Sequence, residues 1–148
     1  MPNKLQEVSI LLVEDDPGHA RLIEKNLRRS NITNAVIIVG DGQQALDYLF
    51  GEGEYAGSEY ASPLLVLLDL NLPVLDGYQV LKRMKADERT RRIPVIILTT
   101  TDDTREVARC YDLGCNVYMT KPVDYEQFSD AIRKIGLFLS VVTIPDGE

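Results

Sequence analysis

Five short apolar runs recur along this chain, separated by stretches of helical periodicity, and that alternation limits the fold more than any other feature. The runs are Val8–Val13, Ala35–Val39, Leu64–Leu68, Pro94–Leu98 and Val117–Met119. None alternates apolar with polar residues, so each reads as a strand covered on both faces, as in a parallel sheet. Between them lie helical stripes: Ala20, Leu22, Ile23 and Leu27; Ala45, Leu46 and Leu49; Val80, Leu81 and Met84; Val107, Ala108, Tyr111 and Leu113. A last stripe, Phe128, Ala131, Ile132, Ile135 and Leu139, follows the fifth run. Helix starts are marked by Asp16-Pro17, Asp41-Gly42, Asp76-Gly77 and Asp102 or Asp103, and Gly114 stops the fourth helix. Five strands alternating with five helices predict a parallel sheet joined by right-handed crossovers.

The 148 residues fit a single domain, with a core at about 8–140 and no output domain. A chain of this size buries roughly 68–70% of its unfolded surface and needs no metal or disulfide to fold. Residues 51–63 lack an apolar period and read as a long surface loop, because the alternation resumes after it. Sixteen Lys and Arg against 23 Asp and Glu give a net charge of −7, which argues against a nucleic-acid or anionic-membrane binder. No run is long enough to span a bilayer and the N-terminus has no signal-peptide pattern, so the expected location is cytoplasmic. Cys110 and Cys115 read as buried apolar side chains, and His19 as a solvent-facing residue in the first turn of a helix.

In an open α/β sheet, ligands bind beyond the carboxyl ends of the strands. Those ends carry Glu14-Asp15-Asp16, Asp69, Thr99-Thr100-Thr101 and, after the fifth run, Thr120-Lys121-Pro122. Clustered acids raise one another's pKa unless a cation compensates, and oxygen donors without imidazole or thiolate favour Mg²⁺ or Mn²⁺. Acids with one lysine therefore predict a metal-assisted phosphate site, with Asp69 as nucleophile and Asp16 as a helix cap. Gly40-Asp41-Gly42-Gln43-Gln44-Ala45 fits a dinucleotide fingerprint. It follows the second strand, with no acid closing the next at the expected distance, and reads as a plain strand-to-helix turn.

On these residues the chain resembles the receiver domains of bacterial two-component response regulators. Leu-Val-Glu-Asp-Asp (12–16), Leu-Leu-Asp-Leu-Asn-Leu-Pro (67–73), Asp76-Gly77, Leu98-Thr99 and Lys121-Pro122 stand in that family's order and spacing. The resemblance implies a doubly wound, flavodoxin-like sheet of order 2-1-3-4-5, and a phosphoacceptor module rather than an enzyme. Asp69 would accept a phosphoryl group from the phosphohistidine of a sensor histidine kinase. Asp15 would bind Mg²⁺ directly and Glu14 through water, with Asp69 and the Asn71 backbone carbonyl completing the metal set. Lys121 would pair with the phosphoryl oxygens, next to a cis Lys121–Pro122 peptide. Thr99 would be the switch hydroxyl and Tyr118 the switch aromatic. Thr100 is larger than the residue often found beside the switch, and Asn71 and Thr101 occupy positions that tune dephosphorylation.

Loop 51–63, Leu98-Thr99-Thr100-Thr101, residues 112–118 and Lys121–Phe128 are similar to the single-domain regulators that partner phytochrome-type kinases. That likeness implies a stand-alone regulator that dimerises through its last helices, with Phe138, Leu139, Val141 and Val142 in the tail. Alternatives within the class are a phosphate sink or a phosphorelay intermediate. A haloacid-dehalogenase-like phosphohydrolase would need an acid at Asn71 and room for a cap domain.

Overall fold

The computed structural model describes residues 8–29, 34–100, 103–121, 126, 130, 131, 133 and 134. Its strands are β1 (Ser9–Val13), β2 (Val36–Val39), β3 (Leu64–Asp69), β4 (Val95–Thr99) and β5 (Val117–Thr120). Its helices are α1 (Pro17–Arg29), α2 (Gly42–Phe50), α3 (Gly77–Ala86) and α4 (Thr104–Leu113). All strand pairs are parallel, in the order β2-β1-β3-β4-β5. The fold class expected from the alternation is therefore the one observed. Four α-helices are delimited among the described residues where five were expected. The fifth falls largely outside them, although Glu126, Asp130, Ala131, Arg133 and Lys134 are helical.

β3 lies at the centre and all six of its residues are buried. Successive side chains on a strand point to opposite faces. Leu64, Val66 and Leu68 join the core layer with Leu46 of α2 and Val80, Leu81 and Met84 of α3. Leu65 and Leu67 face the other layer, with Ile23 and Leu27 of α1 and with Ala131. The strand has no polar partner surface until it reaches Asp69, which is where its run of apolar residues ends.

The helix starts follow the sequence signals. Asp41 caps α2 by accepting from Gln44 N at 2.7 Å, so the glycine-rich segment there is a strand-to-helix turn. Asp76 and Gln79 form a reciprocal capping box at the start of α3. Asp103 caps α4, and Gly114 ends it in the left-handed conformation at φ 109°. Cys110 and Cys115 are free and buried.

Loop 51–63 is more ordered than its composition implies. It contains a 3-10 turn, Gly53–Tyr55. The Tyr48 hydroxyl accepts from Ala61 N at 2.9 Å and the Tyr60 hydroxyl donates to the Arg89 carbonyl at 2.7 Å. Tyrosines scattered without period carry these anchors, which is why periodicity does not register them.

The start of α3 packs directly on the end of β3. A Cβ added at Gly77 would lie 2.6 Å from the Asp69 carbonyl oxygen and 2.7 Å from the Leu70 Cα. Both obstacles are backbone and cannot rotate away. Gly77→Ala is expected to destabilise the protein by about 1–3 kcal/mol in urea unfolding, the usual cost of forcing extra volume into a packed site. An unchanged midpoint and slope would contradict this account of the β3–α3 junction.

Candidate functional site

The carboxyl ends of β1, β3, β4 and β5 converge at one edge of the sheet, and they bring Glu14, Asp15, Asp69, Thr99 and Lys121 together. Carboxylate oxygens of Glu14, Asp15 and Asp69 lie within 4.8 Å of one another. Glu14 and Asp69 are buried, whereas Asp15 is exposed at the mouth.

Lys121 ties the cluster together. Its Nζ lies 2.5 Å from Glu14 Oε1 and 2.9 Å from Asp69 Oδ2, with the lysine side chain only 10% exposed. Burial alone would lower the lysine's pKa, but the hydrogen bonds to Glu14 and Asp69 outweigh it and hold the pKa above its ordinary value. Lys121 is therefore a cation at neutral pH. The Glu14 pKa is raised as well: burial lifts it, and the neighbouring Asp69 adds to this against the hydrogen bonds from Lys121 and the Asp16 backbone.

The remaining oxygens are directed by backbone. Glu14 Oε2 accepts from Asp16 N at 3.1 Å, and Asp69 Oδ1 accepts from Asn71 N at 3.0 Å. Asn71 is exposed, two residues beyond Asp69. Asp16 is the α1 cap, accepting from Gly18 N at 2.8 Å and His19 N at 3.1 Å. Thr99 is fully buried, and its carbonyl accepts from Lys121 N at 2.6 Å. Tyr118 is half-buried against the core, and its backbone N donates to the Tyr111 hydroxyl at 3.2 Å. Thr101, Pro122 and the tail residues Phe138, Leu139, Val141 and Val142 lie outside the described residues, as does the Lys121–Pro122 peptide.

Two features of the site were not apparent from the sequence. His19 was expected to face solvent; its ring is 51% exposed, but Nδ1 lies 3.4 Å from Lys121 Nζ and 3.8 Å from Glu14 Oε2. Helical phase relative to the Asp16 cap carries the ring there, and no motif marks it. The second is Val74, in the turn after Asp69. It has φ 70° and is 73% exposed, and Leu75 N bonds back to the Pro73 carbonyl at 2.8 Å. That is a γ-turn of the rare positive-φ form, strained for a β-branched residue. Such strain concentrates at functional loops.

The arrangement suits a hard divalent cation: carboxylate oxygens clustered at an open mouth, with neither thiolate nor imidazole among the clustered donors. It also places one ionised lysine against the Asp69 oxygen, where it can neutralise charge gathering on a bound anion. The response regulator receiver domain family matches residues 10–133. The chain belongs to that family. It is 40% identical over 137 residues to the response regulator Rcp1 of Synechocystis sp., covering 92% of each protein. Among solved structures, it is similar to a response regulator receiver domain from Rhodospirillum rubrum, with 57% identity, a TM-score of 0.74 and coverage of 90% and 94% of the two chains. The bacteriophytochrome response regulator RtBRR superposes with a TM-score of 0.79 at 43% identity, over 87% of this chain and 78% of that one. Rcp1 itself has been solved in a Mn²⁺-bound form, with a TM-score of 0.74. Such relatives are signalling modules rather than enzymes. No helix among the described residues is long and apolar enough to cross a membrane.

If the acid cluster holds the cation, a divalent ion at about a hundred times its Kd should add about 2.7 kcal/mol to the unfolding free energy. Asp15→Asn should abolish that gain, because Asp15 is a cluster oxygen donor that takes no part in the Lys121 contacts. Thermal unfolding with and without the ion tests this; a variant keeping the full gain would refute the assignment.

Proposed function

We propose that this receiver takes a phosphoryl group onto Asp69 from the phosphohistidine of a sensor histidine kinase, with Mg²⁺ as the working ion. The observation that carries the reading is the Lys121 ammonium held 2.9 Å from Asp69 Oδ2, at the end of the central strand. An Asp69 carboxylate oxygen attacks phosphorus as the phosphorus–nitrogen bond breaks, and the bonding pair leaves with the imidazole. Lys121 pairs with the phosphoryl oxygens in the transferred state. Asp15, Asp69, the Asn71 carbonyl and, through water, Glu14 would hold the ion, which would supply charge neutralisation for the phosphoryl group.

The output is a change of protein-interaction surface. Thr99 and Tyr118 act as switch residues, with Thr99 reporting on the phosphoryl group and Tyr118, half-buried on β5 against the core, following it. Two observations favour α4 as the element that moves. Of its ten residues only Cys110 is buried, whereas α3 buries four. Tyrosine hydroxyls fasten it: Tyr78 donates to Glu106, and Tyr111 accepts from Tyr118 N. A helix held by polar contacts shifts at lower cost than one held by a packed apolar face. The likeness to Rcp1 and RtBRR supports a phytochrome-type kinase as partner. A homodimer through the C-terminal helices is the form of output proposed.

Intact-protein mass spectrometry after incubation with acetyl phosphate and Mg²⁺ tests this reading. Wild type should gain one phosphoryl group, and Asp69→Asn and a chelated sample none. Size-exclusion elution should move to larger apparent size with the adduct. Labelling of Asp69→Asn would overturn the assignment.

A further inference from the structure

A lysine ammonium carries three N–H donors and no acceptor. Around Lys121 Nζ stand three acceptors: Glu14 Oε1 at 2.5 Å, Asp69 Oδ2 at 2.9 Å and His19 Nδ1 at 3.4 Å. Two are carboxylate oxygens from the floor of the site. The third is a ring nitrogen reaching in from the mouth.

We propose that His19 is a positioning residue for Lys121, supplying the third acceptor that aims the ammonium at the Asp69 oxygen. This rests on the reading of Asp69 as phosphoacceptor. Because the ammonium can only donate, the ring presents its Nδ1 lone pair and carries its proton on Nε2. The ring is itself placed by the α1 cap: Asp16 Oδ1 accepts from both Gly18 N and His19 N, which fixes the first turn. Asp16 Oδ2 and Glu14 Oε2 stand 4.0 Å and 3.8 Å from Nδ1.

The consequence is orientational. During transfer, negative charge moves from the carboxylate towards the phosphoryl oxygens, and Lys121 must follow it. With its third N–H released to water, the ammonium is free to rotate and to lean away from the Asp69 oxygen. His19 limits that freedom.

The experiment compares initial rates of phosphoryl adduct formation, with acetyl phosphate and Mg²⁺, in wild type, His19→Ala and His19→Asn. His19→Ala should slow labelling about threefold, in the lower part of the range for an ordinary hydrogen bond, as its 3.4 Å length implies. His19→Asn, whose side-chain oxygen reaches much the same position as Nδ1, should restore most of the rate. The Mg²⁺ concentration giving half-maximal rate should stay constant, because Lys121 is not an ion ligand; a general loosening of the site would move it. Since His19 is the only histidine in the chain, its ring nitrogens give single ¹⁵N resonances. The Nδ1 resonance of the unphosphorylated protein should move in Lys121→Met.

His19→Ala labelling at the wild-type rate, His19→Asn as slow as His19→Ala, or an Nδ1 resonance indifferent to Lys121→Met would each overturn the inference alone. A wild type that fails to label, with the Nδ1 response intact, would instead overturn the phosphoacceptor reading, and the proposed role would fall with it.

Discussion

The bridge from Lys121 to Glu14 and Asp69 is the interaction on which the rest of the site depends. Two carboxyl groups that are almost wholly buried cannot both ionise side by side in a medium of lowered dielectric unless a cation lies between them. Lys121 supplies it, and without those carboxylates its own burial would lower its pKa. Each charge therefore makes the other tenable. The exposed Asp15 leaves the cluster rich in negative charge towards solvent, which is the side from which a divalent ion and a phosphoryl donor would arrive.

The sheet delivers those groups by parity and register. On β3, Leu65, Leu67 and Asp69 share a face, so the strand that builds the α1-side core also aims the carboxylate. On β5, Met119 lies in the same core layer, and Lys121 follows directly after the strand's last residue, Thr120. Thr99 pairs with Thr120 across β4 and β5, and its carbonyl receives the Lys121 N–H. The lysine's backbone is thus fixed to the strand that carries the hydroxyl. Gly77 lets α3 start against the Asp69 carbonyl, which shields the back of the site.

Much of this was legible in the sequence because it is written in period and position. Runs such as Leu64–Leu68 can be satisfied only in a doubly covered strand, and in such a sheet the residue that ends a strand is the residue that meets a ligand. Glu14, Asp15, Asp69 and Lys121 are found by that rule. His19 is not, because its approach to Lys121 depends on the rotation of α1 about its axis, set by the Asp16 cap. Val74 is not, because nothing in a β-branched residue announces a positive φ. Loop 51–63 is tied to the rest of the protein by the hydroxyls of Tyr48 and Tyr60, which find backbone partners 13 and 29 residues away in sequence. The last helix was expected from its apolar stripe, yet only Glu126, Asp130, Ala131, Arg133 and Lys134 of it are described.

We propose that this edge of the sheet makes one particular carboxylate a phosphoryl acceptor. Borohydride reduction of the phosphorylated protein, followed by peptide mapping, tests it most directly, because reduction turns an acyl-phosphorylated aspartate into homoserine at its own position. Homoserine at position 69 alone, formed only in samples that received both phosphodonor and divalent ion, is the result predicted. Homoserine at Asp15 or Asp16 would contradict the account, and so would a stable adduct that resists reduction.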